Sequence, residues 1–187
     1  MIIIWITWTL GAGKWTIVDY LVQKKWFLHF SVRAYLIQEI EKIGMPVNRD
    51  SMVIVANNLR ATHSPSYIIE QLYEQAKISG RDSIIESIRA VGEVNVLKTQ
   101  DRGTFYLFAV DADPKIRYER AVLRGSETDK ITYDTFIMNE QREMENTDPT
   151  KQNVAKCMQM ADYVFVNNGT REELDQQIEN IVDKLNI

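Results

Sequence analysis

Gly11, Ala12, Gly13 and Lys14 follow a short apolar segment near the start of the chain, and Thr16 comes two residues later. Small residues allow successive backbone N–H groups to converge on one phosphate, and a helix that begins there directs its positive end to the same place. The lysine adds a charge for the outer phosphates of a nucleotide, and the threonine hydroxyl suits a phosphate or a hydrated Mg²⁺ ion. The spacing therefore predicts a loop that binds ATP. The alternative is a tight turn whose lysine is merely solvated.

Strands and helices together must position this loop, since strand-like and helix-like segments alternate along the chain. Short β-branched or aromatic apolar runs predict strands over 2–7, 27–30, 82–86, 104–110 and 163–166. Apolar periodicity and capping residues predict helices over 14–25, 31–43, about 48–61, 66–79, 90–98, 114–124, 133–145, 151–160 and 172–185. Strands separated by helices pair in parallel, so we predict an α/β fold with a five-stranded parallel sheet covered on both faces.

Composition excludes several classes of protein. The 187 residues fit one domain over 1–187, and the net charge of -4 argues against non-specific binding to duplex nucleic acid. Cys157 is the one cysteine and there are two histidines, which excludes an internal disulfide framework and a Cys/His-rich metal site. No apolar run approaches the roughly 20 residues of a membrane span. We expect a cytoplasmic monomer or homodimer with small-molecule partners, without nucleic acid or membrane.

Four segments together resemble one family of enzymes. The loop at 11–16 resembles that of adenylate kinase and related small-molecule kinases, and 84–89 (IIESIR) resembles their third-strand motif. The segment at 111–114 (DADP), with the arginines after it, resembles the fourth-strand turn and the helix that leads to the lid. The segment at 161–170 (ADYVFVNNGT) is similar to the last strand and base-contacting loop of dephospho-CoA kinases. The chain thus resembles the P-loop nucleoside monophosphate kinase superfamily, either adenylate-kinase-like or dephospho-CoA-kinase-like.

This resemblance implies a three-layer P-loop fold, with acceptor-binding helices at about 31–80 and a small helical lid at about 124–150. It implies catalytic roles for Lys14, Arg120 and Arg124, because phosphoryl transfer requires positioned positive charge and arginine supplies it permanently. Arg117 shares the same predicted helix, and Glu119 offers the alternative of a solvated, neutralised face.

The resemblance also implies the remaining ligands. Asn168 and Gly169 are predicted to contact the nucleotide, together with the loop at 11–16. Thr16 is predicted to bind Mg²⁺, and Glu86 to do so through water. The predicted acceptor ligands lie between the second and third strands or at the carboxyl end of the third, and they are Arg33, Arg60, Glu86 and Arg89. For Arg33 and Arg60 the alternative is an ordinary surface ion pair.

These residues predict ATP-dependent phosphoryl transfer to a small nucleotide-like acceptor. The acceptor that we favour is a nucleoside or deoxynucleoside monophosphate. Dephospho-CoA is the alternative, although its kinases often carry an acid where this chain has Ala34. A second alternative is a kinase-like domain that binds nucleotide without turnover.

All four tryptophans lie within the first 26 residues, at Trp5, Trp8, Trp15 and Trp26. Each stands where this fold favours glycine, and Trp15 is itself one of the predicted nucleotide contacts. Three explanations remain open: an aromatic or degenerate nucleotide site, engineering, or a gene whose UGA codons encode glycine. In the loop, we expect Trp8 and Trp15 to be strained by positive φ angles, at roughly 1–2 kcal/mol each.

Overall fold

A five-stranded parallel sheet forms the centre of the structure, a computed structural model that describes residues 1–100, 105–125, 131–146 and 151–187. The strands are β1 (Ile3–Trp8), β2 (Leu28–Phe30), β3 (Ser83–Glu86), β4 (Phe105–Asp111) and β5 (Tyr163–Val166). Their order is β2-β3-β1-β4-β5, and every pairing is parallel. The predicted fold class is confirmed. The loops that follow β1 and β3 leave from the same edge of the sheet, where open α/β sheets bind ligands.

Helices connect the strands as the sequence predicts, with ends within three residues of the predicted ones. They are α1 (Lys14–Lys25), α2 (Val32–Lys42), α3 (Arg49–Thr62), α4 (Tyr67–Ser79), α5 (Val91–Gln100), α6 (Pro114–Arg124), α7 (Tyr133–Met144), α8 (Val154–Gln159) and α9 (Arg171–Lys184). The largest difference is the start of α8, where the Asn153 side chain accepts the N–H of Lys156 and so fixes a later beginning. Parts of the predicted lid, at 126–130 and 147–150, lie outside the described residues.

Both faces of the sheet are covered because β1 is apolar on both sides. Ile3 and Trp5 face one core, which α2, α3, α4, α5 and α8 complete. Ile4 and Ile6 face the other core, which α1 and α9 complete. None of these four side chains is exposed to solvent. Within the described ranges, no helix is both long and apolar enough to cross a membrane.

The first helix ends in a conformation that favours glycine. Its last position, Trp26, has φ 62°, and the backbone N–H of this residue donates to the carbonyl oxygen of Leu21. The indole of Trp26 is 76% exposed, so little packing compensates the backbone. Trp8 and Trp15 do not have positive φ angles, because Trp8 ends β1 and Trp15 lies in the first turn of α1. The expected strain is therefore wrong for these two and right for Trp26.

Replacement of Trp26 by glycine should stabilise the fold. A left-handed conformation costs a non-glycine residue roughly 1–2 kcal/mol, part of which is offset by the greater freedom of glycine in the unfolded chain. We expect the free energy of unfolding to rise by about 1 kcal/mol in denaturant titrations. The matched control is Gly80→Ala, since Gly80 ends α4 at φ 65° with nothing near its missing Cβ. That variant should lose stability, and a less stable Trp26→Gly chain would contradict the explanation.

Candidate active site

The loop between β1 and α1 requires glycine at two positions. Gly11 has φ 83° and Gly13 has φ 97°, both in the left-handed region. A Cβ on Gly11 would collide with the backbone carbonyl of Arg117, and one on Gly13 would collide with the Asn167 side chain. The two glycines thus allow the loop to turn sharply against α6 and the segment after β5.

Three side chains hold this loop from outside. Arg117 Nη1 donates to the carbonyl oxygen of Leu10 at 3.3 Å, and Asn167 Nδ2 donates to that of Ala12 at 2.8 Å. Thr9 Oγ1 donates to Asp111 Oδ1. Two carbonyls of the loop are thereby engaged by the protein, whereas the first N–H groups of α1 have no acceptor within the helix. This is the arrangement that a phosphate site requires.

Lys14 lies at the centre of the site. Its ammonium contacts the carboxylate of Glu86, and it lies 4.1 Å from the ring centroid of Trp8 and 4.3 Å from that of Trp15. Burial, with the charges of Arg89 and Arg124, lowers the pKa of Lys14 to about 7. The Glu86 carboxylate acts in the opposite direction, because a neighbouring negative charge favours the ammonium.

Glu86 ends β3 and is only 3% exposed. Besides Lys14, its carboxylate accepts a hydrogen bond from Ser31 Oγ at 2.8 Å, and His29 Nε2 lies 3.6 Å away. Burial lowers the pKa of His29, so the imidazole favours its neutral form. The carboxylate therefore depends on Lys14 for its compensating charge.

The donor set around Glu86 fits a hydrated Mg²⁺ ion rather than a closed metal cage. In the part of the chain that the structure describes, no group of three His, Cys, Asp or Glu side chains is placed to hold a metal. Mg²⁺ usually keeps several waters and uses one or two protein oxygens with the substrate phosphates. Glu86, with Thr16 in the first turn of α1, would meet that need.

A cavity of about 320 Å³ opens above the loop. Seven of the predicted residues share its wall, and they are Gly11, Gly13, Lys14, Trp15, Arg89, Arg120 and Arg124. These residues come from the P-loop, the segment after β3 and helix α6, so three separate parts of the sequence meet around one space.

The arginines of this cavity have distinct partners. Arg120 donates to the carbonyl oxygens of Asn167 at 2.8 Å and Gly169 at 3.1 Å, which fixes the turn after β5. The guanidinium of Arg89 contacts Glu143 on α7 and lies 4.7 Å from the ring centroid of Trp8. The guanidinium groups of Arg89 and Arg120 thus reach the cavity from defined anchors.

Other predicted residues lie elsewhere. Arg33 is exposed on α2 and is not among the residues that line the described cavities. Asn168 Oδ1 accepts the backbone N–H of Asp113 at 2.7 Å, and a Cβ on Gly169 would collide with Glu173. Arg60 lines a second cavity, of about 480 Å³, together with Arg89. The nucleotide contacts of Asn168 and Gly169 remain predictions.

Sequence reasoning missed two residues that organise the site. Arg117 is 2% exposed and donates to the carbonyl oxygen of Ala112 at 2.8 Å and to Glu140 Oε1 at 2.7 Å. Asn167, 6% exposed, connects the turn after β5 to the P-loop. The three-residue spacing between Arg117 and Arg120 was the available signal, but it does not reveal which arginine is buried.

Comparison with known proteins supplies the family. No protein-family model matches the chain. A UPF0200 protein of Methanococcus vannielii is 31% identical over 186 residues, which cover 97% of this chain and 93% of the relative. The chain belongs to the UPF0200 family. Another UPF0200 protein, from Pyrobaculum aerophilum, is 27% identical over 94% of this chain and 93% of its own length.

Solved structures show that this UPF0200 chain has a P-loop kinase fold. The chain is similar to TT1252 from Thermus thermophilus, with a TM-score of 0.64, 17% identity and coverage of 98% and 97% of the two chains. For shikimate kinase from Bacteroides thetaiotaomicron the TM-score is 0.54 and the identity 15%, with 100% of this chain and 99% of that chain covered. For dephospho-CoA kinase from Campylobacter jejuni the TM-score is 0.53 and the identity 13%, with 98% of this chain and 96% of that chain covered. These likenesses confirm the predicted fold.

Replacement of Trp8 and Trp15 together by glycine should increase the affinity for ATP·Mg²⁺. The two indoles flank the Lys14 ammonium, and each such cation–π contact is worth about 0.5–2 kcal/mol that a phosphate must overcome. We expect the Kd from calorimetric titration to fall at least about tenfold.

The matched control for this double variant is Trp26→Gly, which lies outside the cavity and should leave the Kd unchanged. Equal affinities of the original chain and the double variant would show that the aromatic loop binds nucleotide as it stands.

Proposed function

We propose that the chain catalyses ATP-dependent phosphoryl transfer to a small nucleotide-like acceptor. A nucleoside or deoxynucleoside monophosphate is the first acceptor to test, and dephospho-CoA is the alternative. The observation that carries this proposal is the convergence of Lys14, Arg89, Arg120 and Arg124 on one cavity above the P-loop. Such a cluster of fixed positive charge is what the transfer of a phosphoryl group requires.

The chain's own residues would act by positioning and charge. The backbone at the start of α1 and the Lys14 ammonium would bind the outer phosphates of ATP. Arg120 and Arg124, on one face of α6, would stabilise the negative charge of the transferring phosphoryl oxygens. Mg²⁺, when bound with the nucleotide, supplies charge neutralisation at the phosphates.

The contact between Lys14 and Glu86 would rearrange when nucleotide binds. Phosphate oxygens offer Lys14 a second anionic partner, which releases part of the Glu86 carboxylate for a hydrated cation or for the acceptor. Arg89 lines both the P-loop cavity and the neighbouring cavity of about 480 Å³, so it would contact acceptor and donor phosphates where they meet.

A coupled assay of ADP release tests the proposal directly. The chain is incubated with ATP·Mg²⁺ and a panel of nucleoside monophosphates, deoxynucleoside monophosphates and dephospho-CoA. Release that depends on one of these acceptors would support the enzyme. ATP binding without release against the whole panel would favour the alternative, a kinase-like module that binds nucleotide without turnover, for which Trp8 and Trp15 are the supporting observation.

The Lys14→Ala variant should lose turnover by at least about 100-fold while it remains folded, because its charge acts on phosphate oxygens. The measurement is the initial rate of ADP release, with the melting temperature as the test of folding. Lys24→Ala, an exposed lysine farther along α1, is the control and should keep full activity. Turnover that survives in the Lys14 variant would refute the P-loop assignment.

The Arg89→Ala variant should raise the KM of the acceptor more than the KM of ATP, since Arg89 reaches into the second cavity. One lost charge-assisted contact to a phosphate corresponds to about a tenfold change or more. The exposed Arg81 provides the control variant Arg81→Ala, far from both cavities. A raised KM for ATP alone would instead assign Arg89 to the donor site.

A further inference from the structure

The second cavity is unusually cationic for this chain. Four positively charged side chains line it, namely Arg60, Arg89, Arg142 and Lys151, and its volume is about 480 Å³. The chain as a whole carries a net charge of -4. A cluster of cations in one cavity raises the local concentration of anions there, even though the chain as a whole is negatively charged.

Shared residues show that this cavity is the middle part of a longer trough. At one end it shares Arg89 with the P-loop cavity. At the other end it shares Asn57, Arg60 and Lys151 with a further cavity of about 430 Å³, which extends to Pro65. A ligand that extends along the trough from the P-loop therefore contacts Arg89 first. Farther along the trough it contacts Arg60 and Lys151.

Among the residues that the structure describes, the one acid that lines this cavity is turned toward the backbone. Glu93 is 5% exposed, and its Oε2 accepts the backbone N–H groups of Arg89 at 3.0 Å and Ala90 at 3.1 Å. Burial raises the pKa of Glu93, against the backbone hydrogen bonds and the neighbouring arginines, which lower it. The acid thus opposes a bound anion less than its formal charge suggests.

Most of the other side chains that line the cavity are polar, apart from Val32 and Ala90. The amide side chains of Asn57, Asn146 and Gln152 belong to it, and none of the described residues that line this cavity is aromatic. Amide and cationic side chains suit oxyanions and hydroxyl groups as ligands.

The backbone at the P-loop end of the cavity is strained. Ser87, which lines it, has φ 86°, a conformation that non-glycine residues rarely adopt. Such strain persists where the surrounding structure enforces it, and it is concentrated at functional sites. Here it separates Glu86, which contacts Lys14, from Arg89, which lines both cavities.

We propose that the acceptor is an elongated polyanion, with its reacting end beside Arg89 and a second anionic group bound by Arg60 and Lys151. This inference rests on the proposed function and narrows its acceptors to nucleotide-like molecules with a second phosphate or carboxylate remote from the reacting group. Arg142 and the amides line the space between the two ends.

Calorimetric titration without ATP tests this inference with two probes, AMP and adenosine 3′,5′-bisphosphate. The original chain should bind the bisphosphate at least about tenfold more tightly than AMP. Arg60→Gln and Lys151→Gln remove one charge each. Each variant should bring the ratio of the two affinities close to one, by weakening the binding of the bisphosphate, while AMP affinity changes less than about twofold.

Matched controls separate a local contact from net charge. Arg81→Gln and Lys24→Gln remove the same charges from exposed positions outside the trough and should preserve the ratio. Because Arg60 is half-buried, melting temperatures accompany each titration, and the exposed Lys151 variant carries the test if the Arg60 variant does not fold.

Equal affinities of the original chain for the two probes, or a ratio that Lys151→Gln leaves intact, would overturn the inference. Phosphoryl transfer would be untouched by that result, since it is measured by ADP release. Conversely, absence of ADP release together with the expected ratio would refute the proposed function and leave the polyanion site standing.

Discussion

The contact between Lys14 and Glu86 joins the two strand ends on which the whole site depends. Lys14 begins α1 at the end of the loop that follows β1, and Glu86 ends the neighbouring β3. Both groups are largely buried, so either charge alone would be costly without its partner. The pair thereby places an ammonium and a carboxylate at the edge where the P-loop, Ser31 and Arg89 also meet. A bound phosphate would substitute for one half of a pair that the fold already maintains.

Sequence patterns were sufficient for the framework because its determinants are local. The β-branched run of β1 and the Ser31 cap each specify an element within a few residues, whereas the Asn153 cap, which begins α8 three residues later than predicted, was missed. The Gly11–Lys14 segment likewise specified the P-loop. Burial of Arg117 and the hydrogen bond from Asn167 to Ala12 were not predictable, since they join residues more than 100 positions apart. Which arginine supports the loop, and which one faces the cavity, is decided only by packing.

The tryptophans act through three different physical effects. Trp26 has a left-handed backbone, and its exposed indole gives little packing in compensation. Trp5 is fully buried, and its indole Nε1 has no hydrogen-bond partner among the described residues, which is a cost for a buried donor. Trp8 and Trp15 compete with phosphate for Lys14. Glycine would remove all three effects, and this supports the hypothesis that the gene encodes glycine at these positions; the four codons decide it.

Helix α7 contacts both Arg117, which supports the P-loop, and Arg89, which lines the two cavities. Glu140 binds the buried Arg117, whereas Glu143, one turn later, contacts Arg89 at the junction of the two cavities. The first pair is deeply buried and the second is partly exposed, so an incoming anion competes far more easily for Arg89 than for Arg117. Glu143 therefore occupies a guanidinium that the acceptor would use, while Phe136, packed against Tyr118, holds the first turn of α7 against α6.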